Sequence, residues 1–133
     1  MTTDLPRTAN RLARAVTLAG ATVAAVLVAG AYVSTIARGV ELWGLVVLEL
    51  VCLTPFVVAW LGLHFRPESV PLSVAVAGAS GLGLFAYADI AYRGGTSLIG
   101  YYGPLIPIVQ LGWCLLWIAL TGWLGDGPGA ARR

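Results

Sequence analysis

The chain has no lysine; all eight of its basic residues are arginines. That bias goes with GC-rich bacterial genomes. Reactive groups are equally scarce, with one histidine and two cysteines in 133 residues. A single histidine, His64, leaves no bis-histidine haem site within the apolar runs. Cys52 and Cys114 lie in different runs, outside any Cys-x-x-Cys motif. They read as small apolar fillers rather than a redox pair. No metal-ligand spacing, phosphate loop or nucleophile motif occurs, so the residues suggest no cofactor, no metal and no enzyme. Charged residues make up 11% of the chain, less than half the roughly 25% usual in soluble domains. The net charge of +2 would ordinarily raise nucleic acid as a partner. Here the arginines gather at the ends of apolar runs, where they act as topology determinants and not as a phosphate-binding surface.

What the chain has in abundance is apolar length. Hydrophobic residues make up 59% of it. They fall into four runs, at about 15–37, 41–63, 70–92 and 102–124. A helix rises about 1.5 Å per residue, so each run can cover a hydrocarbon layer of about 30 Å with some tilt. The expected fold is all-α: an integral membrane, up-down bundle of four transmembrane helices. Residues 1–14 read as a basic N-terminal segment, 15–124 as the transmembrane domain and 125–133 as a flexible cytoplasmic tail. The connections are short, and none has room for a soluble domain.

The arginines orient the bundle. Arg7, Arg11 and Arg14 precede the first run, Arg66 lies between the second and third, and Arg132 and Arg133 follow the fourth. Only Arg38 and Arg93 fall in the other two loops. The positive-inside rule then places both termini in the cytoplasm of a bacterial plasma membrane. Arg7, Arg11 and Arg14 also share one helical face and could be drawn to an anionic leaflet, by about 1 kcal/mol each. A signal peptide is the alternative for the first run, because Ala29-Gly30-Ala31 looks cleavable. That run exceeds the roughly 7–15 apolar residues of a signal sequence.

Small residues set the expected packing. Ala21, Ala25 and Ala29 recur every fourth residue in the first run, and Ser73, Ala77 and Gly81 do so in the third, beside Ala75, Ala79 and Gly83. Such stripes allow close approach where no hydrophobic force drives helices together. They read first as seams of one bundle and second as a homodimer face. Runs two and four carry the bulk, and Trp113 and Trp117 are expected to face the bundle interior. Pro55 interrupts run two, and Pro104 and Pro107 open run four.

Three polar side chains sit inside these runs: Glu49, Asp89 and Gln110. Counting from the run ends puts all three in the outer half of the bilayer, where they could converge on one pocket. A carboxylate at that depth costs several kcal/mol unless it is neutralised or paired. Glu49 has no basic residue at its own depth. It is expected to be protonated, with a raised pKa, or hydrogen-bonded to Gln110. Asp89 has Arg93 four residues on, the spacing of a helical ion pair.

Thr96-Ser97-Leu98, followed by Pro107-Ile108-Val109-Gln110, resembles a pattern of small uncharacterised bacterial membrane proteins. In these a Ser/Thr cluster opens the last span and a Pro-x-x-Gln lies about ten residues in. The resemblance implies a four-span inner-membrane protein with no activity attached. Small multidrug exporters are similar in length but carry their glutamate in the first span, which here has no acid. Small fluoride channels have glycine and arginine motifs that this chain lacks. The residues thus leave two expectations. The first is a structural or accessory component that associates with itself or with a larger membrane complex. The second is a small proton-linked transporter or channel using Glu49 and Gln110.

Overall fold

The computed structural model describes residues 4–36, 43–93 and 105–125. It forms four long helices, α1 (Leu5–Ile36), α2 (Trp43–Phe65), α3 (Val70–Arg93) and α4 (Ile106–Gly125). Each is long and apolar enough to cross a membrane. The glycine-rich stretch 94–97, Pro104 and the tail 126–133 lie outside the described residues.

Helix α1 begins at Leu5, inside the basic segment, and not at residue 15. The Thr8 amide donates to the Asp4 carbonyl (2.9 Å), closing the first turn. Pro6 fits in that turn because its missing N–H would have had no helical partner there. Hydropathy marks where lipid-like residues begin, not where helical hydrogen bonding does, so Arg7, Arg11 and Arg14 are helical too. At 32 residues α1 is about 48 Å long, well beyond a hydrocarbon layer. Helix α2 runs unbroken through Pro55 and stops at Phe65, two residues before Pro67. Ser69 then caps α3, its hydroxyl accepting from the Leu72 amide (3.4 Å) and its carbonyl from the Ser73 amide (3.0 Å).

The helices form a ring in the order α1, α2, α4, α3, with α1 and α4 on a diagonal where they hardly meet. Since α2 and α3 lie across the other diagonal, the short link 66–69 (the link end) crosses the bundle. Neighbours along the chain alternate in direction, so this order makes α1 and α3 parallel neighbours. Their contacts rise together in number: Ala13 clusters with Val76, Thr17 meets Ser80, and Ala24 clusters with Tyr87. Thr17 Oγ1 donates to the Ala13 carbonyl (2.7 Å), leaving its lone pairs for the proton of the Ser80 hydroxyl (3.0 Å).

Small residues do set this seam, but on a different stripe of α1 from the expected one. Ala13, Thr17, Gly20, Ala24 and Val28 are buried, whereas Ala29 is exposed. Gly20 decides the face. A Cβ there would stand 2.5 Å from Phe56 Cε1 and 3.3 Å from the Ser80 carbonyl. Two apolar clusters fill the interior. One joins Ala13, Ala59, Leu63, Leu72, Val76 and Cys114 near the link end. The other joins Ala24, Cys52, Phe56 and Tyr87 further along, with the Phe56 and Tyr87 rings tilted at 6.3 Å. Both cysteines are buried fillers in these clusters.

One contact follows directly from a proline. In a continuing helix the Leu63 carbonyl would accept from residue 67, but Pro67 has no N–H. Two residues of α1 take that carbonyl instead, Asn10 Nδ2 at 3.1 Å and Arg14 Nη2 at 3.3 Å. The Arg14 guanidinium also lies 5.5 Å from the Trp60 ring centre. Together these tie the start of α1 to the end of α2.

Candidate functional site

The seam between α3 and α4 departs most from close packing. The helices approach through two hydrogen bonds that α4 side chains donate to successive turns of the α3 backbone. Gln110 Nε2 donates to the Ala79 carbonyl (2.8 Å), and Trp113 Nε1 donates to the Ala75 carbonyl (3.2 Å). Gly83 makes room for this, because a Cβ at that position would overlap the Gln110 amide. Gln110 is 6% exposed, and its Oε1 is buried without a hydrogen-bond partner among the described residues.

Beside these bonds the two helices leave a groove of about 1050 Å³, open along its side. Its α3 wall includes Val74, Gly78, Leu82 and Phe85, and its α4 wall includes Val109 and Trp117. The small residues of α3 leave this space open, and the tryptophan rings of α4 border it without filling it. Trp113 is 46% exposed and borders this groove, and Trp117 lines it, half-buried. Trp117 also packs against the interior cluster near the link end, as expected, while Trp113 stays exposed; the buried stripe of α4 is Pro107, Gln110, Cys114 and Thr121.

The three polar residues lie on separate seams. Gln110 is inside the α3/α4 seam at the level of Gly83. Asp89 pairs with Arg93 at 2.9 Å, one turn from Phe85 and in line with the groove-facing side of α3. The Asp89 side chain is 11% exposed and that of Arg93 62%, so the pair runs from a covered carboxylate to an open guanidinium. Glu49 is half-buried and shares the edge of α2 with Phe56 and Trp60, the edge turned toward α1. Among the described residues the polar partners are Ala79 for Gln110 and Arg93 for Asp89, and none of these bonds joins two of the three. Glu49 lies one turn beyond Cys52, which packs on Tyr87, whereas Gln110 lies one turn short of Tyr87. Their levels therefore differ by about 10 Å along the bundle. Counting from apparent run ends misses this, because the relative levels of α2 and α4 are set by which side chains pack on α3 and not by where the apolar runs end.

Among the described residues no group of three or more His, Cys, Asp or Glu side chains is placed to hold a metal ion. The arrangement at the α3/α4 seam offers packing surfaces and side-chain donors engaged by backbone carbonyls. The fold as a whole is a four-helix bundle whose helices have membrane-spanning length and which carries a lateral, apolar groove between α3 and α4. No known family model matches the chain, and no curated protein or solved structure matches it either.

Proposed function

We propose that the chain is a multi-pass protein of a bacterial plasma membrane, with both termini cytoplasmic. In this reading it is a small structural or accessory component of a membrane assembly. Insertion is supported by the outward faces of the helices, where Leu18, Val26, Val57, Leu82 and Val109 are all more than half exposed. Helices that are apolar outside as well as inside suit lipid as their surroundings. The arginine distribution supports the orientation. The absence of lysine and the Pro107–Gln110 pattern support the bacterial assignment.

The α3/α4 groove carries the accessory role. An apolar lateral groove, with small residues on one wall and tryptophans on the other, suits a helix of a partner or of a second copy. A photo-crosslinking residue at Leu82 or Val109 should yield a discrete adduct with a membrane polypeptide, and one at Val26 should not. Adducts with lipid alone at all three positions would contradict the proposal.

Glu49 keeps a second reading in play, since it forms no hydrogen bond or ion pair among the described residues. A proton-linked carrier would use this carboxyl. Proteoliposomes under an imposed pH gradient would show proton flux lost in Glu49→Gln if it does. Equal flux in both proteins would remove that reading.

A further inference from the structure

Near the link end, α2 and α4 leave a second cleft, of about 190 Å³, between Val58, Leu61, Gly62, Phe65 and Ile118, with Arg66 at its end. Two glycines shape it. A Cβ on Gly62 would stand 2.9 Å from Ile118 Cδ1, and one on Gly122 would stand 3.0 Å from Arg66 Nη2. The missing side chain at Gly122 thus lets the guanidinium lie across from α2 onto α4. Among the described residues no carboxylate or carbonyl engages that guanidinium, and Glu68, two residues on, forms no ion pair with it.

We propose that this cleft binds an anionic glycerophospholipid, with the phosphate on Arg66 and part of one acyl chain against Gly62 and Ile118. The proposal rests on the membrane reading given above, with the link on the cytoplasmic side. Its physical basis is the pairing of two unlike features. A guanidinium presents several donors in a planar fork that matches phosphate oxygens. The cleft behind it is apolar and large enough for a segment of chain, but not for a second helix. Inorganic phosphate would leave the cleft empty, and a zwitterionic lipid would offset the attraction at the guanidinium. An anionic lipid satisfies both, as basic pockets between spans on the cytoplasmic side do. Arg14 is less suited to this role, because it already donates to the Leu63 carbonyl and lies on Trp60. Arg7 and Arg11 are exposed on α1, away from this cleft.

The test uses the full-length chain in detergent micelles, titrated with phosphatidylglycerol or phosphatidylcholine of identical acyl chains. Bound lipid is counted by native mass spectrometry. The wild type should hold phosphatidylglycerol about fivefold more strongly, the ratio equivalent to about 1 kcal/mol for one arginine at an anionic surface. Arg66→Gln should abolish the preference, as should Gly122→Leu by displacing the guanidinium, while Arg11→Gln should leave it intact. Circular dichroism confirms that each variant is folded. An unchanged preference in Arg66→Gln, or equal loss in Arg11→Gln, would overturn the site. So would complete competition by equimolar inorganic phosphate, which would leave the cleft without a role. Flotation with phosphatidylcholine vesicles distinguishes failure of membrane insertion from failure of the lipid site. A chain that fails to float contradicts the membrane reading and this proposal together. One that floats without preferring phosphatidylglycerol contradicts only the lipid site.

Discussion

The amide of Gln110 occupies the space in which any residue other than glycine at position 83 would place its Cβ. The chain's only glutamine thus depends on a missing side chain on the facing helix to reach the Ala79 carbonyl at 2.8 Å. Gly83→Ala should therefore lower stability by about 1–3 kcal/mol, the usual cost of overpacking. Gln110→Ala should cost less, about 0.6 kcal/mol and at most about 2, as interhelical hydrogen bonds in membranes do. Combined, the two should cost clearly less than their sum, because the alanine methyl then has room. Unfolding in mixed micelles measures all three, and additive effects would contradict the contact.

Parallel packing of α1 on α3 predicts a specific crosslink. Thr17 Oγ1 and Ser80 Oγ lie 3.0 Å apart. In a Cys52→Ala, Cys114→Ala background, Thr17→Cys with Ser80→Cys should form a disulfide on mild oxidation. Thr17→Cys with Thr121→Cys spans the α1/α4 diagonal and should not. Mobility on a non-reducing gel, after cleavage in the 66–69 link, reads the result.

The shared Leu63 carbonyl predicts coupling between two α1 residues. Asn10→Ala and Arg14→Ala should each destabilise the bundle by about 1 kcal/mol, the net worth of a typical hydrogen bond. The double variant should cost more than the sum, since either donor alone can hold the carbonyl that Pro67 leaves open and only the double variant orphans it. Strict additivity in thermal unfolding would show that the two act separately.

Much of this fold can be read from the residues, because hydropathy and helix geometry act locally. Run 70–92 matches Val70–Arg93 almost to the residue, bounded by a serine cap and an arginine. The closeness of α1 and α3 is also readable, since both carry small residues at helical spacing. Which stripe of α1 turns inward is not, because Gly20 is chosen by Phe56, a residue 36 positions along the chain on another helix. The ring order has the same origin: it depends on how four surfaces fit, and no single run encodes it. The polar residues divide in the same way. Asp89 and Arg93 are neighbours on one helix and their pairing follows from spacing alone. The partner of Gln110 is a backbone carbonyl, which every residue has, so only Gly83 could have pointed to it. The groove is a shape between two helices and leaves no trace in either sequence.

In the proposed topology the four helices cross a membrane with the 66–69 link on the cytoplasmic side. Single cysteines at Glu68 and at Tyr92, in the cysteine-free background, test it directly because both native side chains are exposed, Tyr92 at 92%. With a membrane-impermeant maleimide on intact cells, Tyr92→Cys should label and Glu68→Cys should label only after lysis. Labelling of Glu68→Cys alone would reverse the orientation. Labelling of both in intact cells would contradict a span between them.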